Sequence, residues 1–370
     1  MTVRTVVAPP ARLVLRSLVR ARTVSWPDYS RLFAVGDAVG WSTGEDARSL
    51  EATATRLGYA SGPARWARFA SRQSVFLTSH FDALSPRWLA SSHRLGTAYL
   101  HGRPGTPAAP EFDDAFAALR RDPSHVARIQ VTHEEMHELV LTAGVAAERV
   151  FRIPLGIDLE HFPLGTAETR SASRDALGLP ASAFVVGSFQ KDGVGWGEGL
   201  EPKLVKGPDV LVAALERLRP AAPELHVLLT GPARGYVQRE LERLGIPYRH
   251  TFAASRDELA HAYHALDVYL VSSRQEGGPK AVLESLASGV PLVSTRVGQA
   301  PDVVRDGESG LLVDVEDAEA LAAAADRLRS DPELCATLRG AGRETAERYA
   351  HGRLDPLWSE LLEGFVSREG

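Results

Sequence analysis

Residues 267–293, DVYLVSSRQEGGPKAVLESLASGVPLV, constrain the fold more than any other stretch of the chain. Residues 267–273 form a short apolar run with β-branched and aromatic side chains, which predicts a buried strand. Residues 274–278 are polar and carry two glycines, so they predict a loop. Pro279 suits the first turn of a helix and Gly289 its end. Between them KAVLESLAS keeps an apolar face at helical spacing. Residues 291–295 then resume as a strand. A strand, loop, helix and strand in this order belong to an α/β chain with a parallel sheet.

The polar residues of this unit limit its chemistry. A helix N-terminus offers free N–H groups and the positive end of a dipole, which suit a phosphate. Gly277 and Gly278 allow a ligand to approach the backbone closely. Glu276 in the loop and Glu284 on the helix are separated by roughly 12 Å if the segment is counted as helical throughout. That exceeds the spacing of about 5 to 9.5 Å used by a glycosidase carboxylate pair. Two carboxylates flanking a helix N-terminus can instead hold hydroxyls at the two ends of one phosphate-bearing ligand, and a nucleotide sugar has that shape.

EGGPKAVLE resembles the motif of two glutamates separated by seven residues found in family 4 retaining glycosyltransferases. Those enzymes have the GT-B fold, two Rossmann-like doubly wound α/β domains facing across a cleft. The resemblance implies that Glu276 contacts the donor sugar and Glu284 the ribose hydroxyls, with the backbone of Gly277, Gly278, Pro279 and Lys280 near the sugar and diphosphate. It extends to ASGVPLVSTRVG and to VGQAPDVVRDGESGLLV, where Asp302 stands in place of the commoner glutamate. It covers roughly residues 30–365 and is strongest over 184–315.

Length and composition agree with such an enzyme. A chain of 370 residues, 44% hydrophobic and 24% charged, is an ordinary globular chain of two domains. A net charge of -5 gives no reason to expect nucleic acid. The single cysteine, Cys335, excludes an internal disulfide and fits the reducing cytoplasm. Arg4, Arg12, Arg16, Arg20 and Arg22 precede the first acid, Asp28, so residues 1–28 read as a basic extension. Arg12, Arg16 and Arg20 would share one helix face, which allows peripheral contact with a membrane surface. Arg16 and Arg20 interrupt any signal-peptide core.

Residues 29–165 form the expected first, acceptor-side domain. Residues 32–35 predict a strand and 45–57 a helix, with a glycine-bearing loop between them. Gly36 and Gly40 fall in that loop, at the kind of strand-to-helix turn where open α/β sheets bind ligands. Residues 75–78 and 97–100 predict further strands. His101 follows the second of these, and the resemblance places it beside the donor sugar or diphosphate. His133-Glu134-x-x-His137 matches the zinc-protease pattern, with two histidines on one helix face and Glu134 as base. No third ligand stands at a recognisable spacing, although Asp158 and Glu160 are nearby acids. A helix capped by Thr132, with Glu135 three residues on, explains the same letters. FRIPLGIDLEHF, residues 151–162, resembles the segment that closes the first domain in this family.

Residues 166–350 form the expected donor domain. FVVGSFQ predicts a strand, followed by the glycine-rich KDGVGWGEGLEPKLVKGPD and a helix. The family places an arginine and then Lys-Gly in this region to grip the donor diphosphate. Lys206-Gly207 matches the lysine; the arginine has no counterpart, and the loop is longer than usual. Lys191 or Lys203 is therefore the expected second cation. A strand over 226–230 ends at Gly231 and Arg234, a position suited to phosphate or base. A short strand over 248–252 and a helix over 258–266 follow. Residues 351–370 contain a helix expected to pack back on the first domain. The resemblance implies catalysis through Glu276, His101 and Lys206, with no metal and no cofactor beyond the nucleotide-sugar co-substrate. The acceptor is a glycan, lipid or small molecule. Alternative readings on the same fold are a sugar phosphorylase, a nucleotide-sugar hydrolase or a non-catalytic binding protein, with a zinc hydrolase at His133 and His137 as the remote one.

Overall fold

The computed structural model describes residues 26–36, 42–107 and 109–368. Gly40 and the five N-terminal arginines lie outside the described residues. Among the described residues, the first sheet is formed by β1 (Leu32–Val35), β2 (Ser74–Leu77), β3 (Arg94–Ala98), β4 (Val126–Val131) and β5 (Val150–Arg152), side by side in that order. Every neighbouring pair is parallel. The second sheet holds β6 (Phe184–Ser188), β7 (Leu225–Thr230), β8 (Tyr248–Thr251), β9 (Val268–Val271), β10 (Leu292–Thr295) and β11 (Leu311–Val313). Its order is β11-β10-β9-β6-β7-β8, again parallel throughout.

Among the described residues, the helices of eight or more residues are α1 (Ser42–Arg56), α2 (Pro110–Arg121), α3 (Glu134–Thr142), α4 (Ala167–Leu177), α5 (Pro208–Leu218), α6 (Gly235–Leu244), α7 (Arg256–His264), α8 (Lys280–Ser288), α9 (Ala318–Ser330), α10 (Pro332–Arg348) and α11 (Asp355–Leu362). They cover both faces of each sheet, which is why inner strands such as β6 and β9 read as near-continuous apolar runs. Val185 faces a core shared with α7 and α8, and Val186 faces one shared with α5 and α6. Each fully buried Val or Leu contributes roughly 1.5–3 kcal/mol relative to exposure, so this two-sided burial fixes the second sheet. In the first domain α1 shares a core with Leu32, Ala34 and Phe76, and Leu361, Leu362, Phe365 and Val366 from α11 and the residues after it complete that core.

The strand order of the second sheet decides where a ligand goes. The chain runs outward from β6 to β7 and β8, then returns to the other side of β6 as β9. The reversal point lies between β6 and β9, where Val186 pairs with Val268 and Gly187 with Tyr269. Open parallel sheets bind ligands in the crevice outside the carboxyl ends of the strands at such a point.

Candidate active site

The residues that follow β6 and β9 converge at this reversal point. Glu276, 8% exposed, lies five residues beyond the end of β9. Lys206 precedes α5, and its Nζ contacts both carboxylate oxygens of Glu276 at 2.6 Å. Ser273 Oγ donates to Glu276 Oε1 at 2.9 Å. The Lys206-Gly207 turn is pinned against β9. Gly207 has φ +61° and lies so close to the Ser272 carbonyl that a Cβ would stand 1.9 Å from it, so the turn admits only glycine. Ser272 Oγ donates to the Gly207 carbonyl at 2.9 Å. The glycine thereby aims the lysine at the glutamate.

Lys191 and Lys203 flank this pair. Burial pushes the Lys203 ammonium below its ordinary pKa, and the charges of Lys206 and Lys191 push it the same way. Burial also lowers Lys191; Asp192 opposes that shift and Lys206 adds to it. Three lysines therefore share one field beside one carboxylate, an arrangement that an incoming polyanion stabilises.

His101 lies across the cleft, three residues past β3. Burial and then the charge of Lys206 lower its pKa to about 4, with Glu276 opposing. The imidazole is neutral at pH 7. Its ring packs among His80, Phe81 and Phe112 at centroid distances of 5.5–6.0 Å. Glu284 sits on α8, where Tyr263 donates its hydroxyl to Oε2 at 2.8 Å. Burial pushes this carboxyl up to about 7 against the pull of that hydrogen bond.

Contacts between the domains occupy positions read from the sequence as ligand-facing. A Cβ on Gly277 would stand 2.4 Å from Leu100 Cβ, and one on Gly278 3.0 Å from Leu155 Cδ1. The close approach at Gly277 is made by the first domain; at Gly278 it is made by Gln299 of the same domain, 2.8 Å from such a Cβ, together with Leu155. Thr132 does not cap α3: its Oγ1 donates to the Gly277 carbonyl at 2.6 Å, and His133 takes the cap position without a side-chain hydrogen bond. Lys280 follows Pro279, the residue that caps α8, and its ammonium reaches back to Glu45 Oε2 at 2.8 Å and Asp46 Oδ1 at 2.7 Å on α1. Arg256 also pairs with Glu45. Burial opposes the charge on Lys280, and Asp46 and Glu45 outweigh it, so its pKa is held above the ordinary value. Gly36 lies against the start of α1, where a Cβ would meet the Thr43 carbonyl.

Arg234 requires a correction. The reading from sequence put it at a strand end, open to phosphate or base. Its side chain is fully buried, with Nε donating to Asp192 Oδ1 at 2.9 Å and the other nitrogens to the Ser188 and Thr230 carbonyls and Ser188 Oγ. The N-terminal amides of α6 are also occupied: Gly235 N–H donates to the Glu198 carbonyl and Tyr236 N–H to that of Gly199. Gly231, with φ +85°, gives its carbonyl to His250.

The two histidines of the zinc-protease pattern have separate partners. His133 is 6% exposed and hydrogen-bonded to Thr132, whereas His137 pairs with Glu134 at 3.6 Å. Among the described residues no three His, Cys, Asp or Glu side chains are grouped to hold a metal. Sequence reasoning missed Glu45 and Asp46, which look like ordinary acids in the first turn of a helix. It also missed Tyr263, whose partner Glu284 lies 21 positions away. No local signal announces either.

Residues 200–345 match the family model described as glycosyl transferases group 1. A D-inositol 3-phosphate glycosyltransferase of Saccharomonospora viridis is 34% identical over 251 residues, which span 63% of this chain and 55% of that protein. D-inositol 3-phosphate glycosyltransferase 1 of Catenulispora acidiphila is 30% identical over 296 residues, 75% of this chain and 65% of that protein. The chain thus spans only part of the length of these relatives. A crystal structure of Anabaena HepE in complex with UDP and glucose superposes with a TM-score of 0.68 at 18% identity, covering 91% of this chain and 100% of that one. The fold is GT-B, two Rossmann-like domains with parallel sheets, as the sequence resemblance implied.

Proposed function

We propose that the protein is a retaining glycosyltransferase that moves a sugar from a nucleotide diphosphate to a hydroxyl acceptor. The observation that carries this reading is the convergence of Lys191, Lys203, Lys206 and Glu276 at the reversal point of the second sheet. The relatives named as glycosyltransferases support it, as does the UDP held by the Anabaena protein of the same fold.

The donor diphosphate lies against Lys206 and its two neighbouring lysines, displacing Lys206 from Glu276. Glu276 then accepts hydrogen bonds from the sugar hydroxyls, and Glu284 from those of the ribose. The bond between the anomeric carbon and the phosphate oxygen breaks. The acceptor oxygen takes its place on the same face, and the diphosphate departs with the acceptor's proton. Lysine charges aimed at the oxygens where negative charge develops lower the barrier. His101, neutral and held in an aromatic pocket, offers a hydrogen bond to the sugar without adding charge. Contacts between the domains at Gly277 and Lys280 keep water from the reacting carbon.

A thermal-shift panel of UDP, GDP, ADP and dTDP, with and without EDTA, tests the donor site. A nucleotide at 100 times its dissociation constant stabilises by about 2.7 kcal/mol. One nucleotide is expected to do so with EDTA present and to lose the effect in Glu284→Ala. Transfer in Glu276→Ala is expected to fall at least about tenfold, or 1.4 kcal/mol in the barrier. No shift from any of the four nucleotides, or normal transfer in Glu276→Ala, contradicts the reading. Free sugar released at the same rate with and without acceptor would make the protein a hydrolase.

A further inference from the structure

The long segment between β6 and α5 is a folded hairpin with its own anchor. Lys203 N–H donates to the Asp192 carbonyl at 2.7 Å and Val194 N–H to that of Glu201 at 2.9 Å, with an antiparallel bridge between Gly193 and Pro202. The root is bolted to the domain by the buried Asp192–Arg234 pair. The far limb sits on the start of α6 through the Glu198 and Gly199 carbonyls. Lys191 and Lys203 therefore flank the root on its two strands. Both feel the charge of Lys206.

One side chain of the hairpin folds back on this root. Trp196, near the tip, is 64% exposed, yet its ring centroid lies 4.9 Å from Lys191 Nζ. The same ammonium donates to the Gly193 carbonyl at 2.9 Å. A lysine side chain carries four rotatable bonds and about 2 kcal/mol of rotamer entropy. A ring face and a carbonyl that hold it in place remove much of that freedom before a ligand arrives.

We propose that this hairpin is a diphosphate clamp: its two limbs present Lys191 and Lys203 beside Lys206, and Trp196 is the positioning residue that holds Lys191 toward the ligand. The clamp supplies the cation that no arginine after β6 provides. It rests on the donor reading above and adds a specific device to it. The ring acts through Lys191 and makes no contact with the nucleobase, so its effect belongs to the diphosphate alone.

Calorimetric titration of inorganic pyrophosphate and of UDP tests the clamp, using wild type, Trp196→Ala, Trp196→Phe, Lys191→Ala and the double variant Lys191→Ala/Trp196→Ala. A cation–π contact at a partly exposed site corresponds to about 2- to 30-fold in affinity. Trp196→Ala is expected to weaken pyrophosphate and UDP by the same factor within that range, and Trp196→Phe to restore most of it. The double variant is expected to be no weaker than Lys191→Ala alone, because the ring has nothing left to position. Loss of UDP binding with pyrophosphate unchanged would overturn the proposal and assign the ring to the base. Full additivity in the double variant, or wild-type affinity in Trp196→Ala, would overturn it too. A wild type that binds neither pyrophosphate nor any of UDP, GDP, ADP and dTDP would refute the donor reading and the clamp together, whereas normal wild-type binding with unaffected variants would refute the clamp alone.

Discussion

Two ion pairs of the donor domain have opposite surroundings. Lys206 and Glu276 meet at 2.6 Å with their side chains 25% and 8% exposed; Arg234 and Asp192 meet at 2.9 Å with both side chains fully buried. The Coulomb attraction is similar. The surroundings differ. Arg234 spends its remaining donors on two carbonyls and a hydroxyl, all fixed, so no ligand can take its place without unpairing several groups at once. Lys206 faces the cleft, and its carboxylate partner has Ser273 as a second donor. With Ser273 in place, Glu276 would stay partly satisfied if the lysine left. Burial and the number of fixed partners, more than charge, separate a structural clamp from a pair that can change partners.

Substitution of the two cations breaks or sharpens this contrast. Arg234→Ala strands a buried carboxylate and is expected to cost about 3–5 kcal/mol of stability in urea unfolding. A loss under about 1 kcal/mol together with a large loss of transfer would reverse the assignment. Lys206→Ala is expected to slow transfer about 10²–10³-fold, the cost of removing one preorganised stabiliser of developing charge. Its loss of stability in urea unfolding should be smaller than that of Arg234→Ala, because Ser273 still donates to Glu276.

Smaller effects appear in the pH dependence. The Glu284 carboxyl is raised to about 7 in the fold, from an ordinary 4.5. On the proposed donor reading ribose hydroxyls donate to the ionised form, so affinity for the nucleotide that binds is expected to rise as pH passes upward through about 7. The difference between wild type and Glu284→Gln isolates that rise from the titration of the nucleotide itself. Equal slopes in the two proteins would separate Glu284 from the ribose. His101 runs the other way. Its pKa falls from 6.5 to about 4 on folding, so the unfolded chain binds more protons between those values. Stability is therefore fully present above pH 6.5 and is lost as pH falls toward 4. His101→Asn should flatten part of that loss in urea midpoints taken from pH 7 to pH 4. An unchanged slope would mean that His101 is solvated.

The contrast also explains what could be read from the sequence. Glu276, Glu284 and Lys206-Gly207 were legible because each is fixed by local spacing: a loop after a strand, a helix face, a tight turn before a helix. The parallel architecture was legible for the same reason, since unbroken apolar strands between amphipathic helices need cover on both faces. Arg234 misled because a cation after a strand looks open until the hairpin of Asp192 and Glu198 is placed over it, and that is a contact between segments about 40 residues apart. The glycines at 277 and 278 announced a close approach but not its agent. Leu100 and Leu155 in the other domain, and Gln299 in the same one, are invisible to any local pattern. The spacing of His133 and His137 reads as one helix face, whereas His133 lies in extended backbone ahead of the first turn. Its neighbour Thr132 is turned to the Gly277 carbonyl of the other domain, a contact no local pattern announces.

The most direct test is a crystal structure with UDP bound. The account predicts Lys206 Nζ moved from Glu276 onto a phosphate oxygen, with the Arg234–Asp192 pair unchanged beneath it. A nucleotide seated against Arg234, or Lys206 still locked to Glu276 with UDP in place, would contradict it.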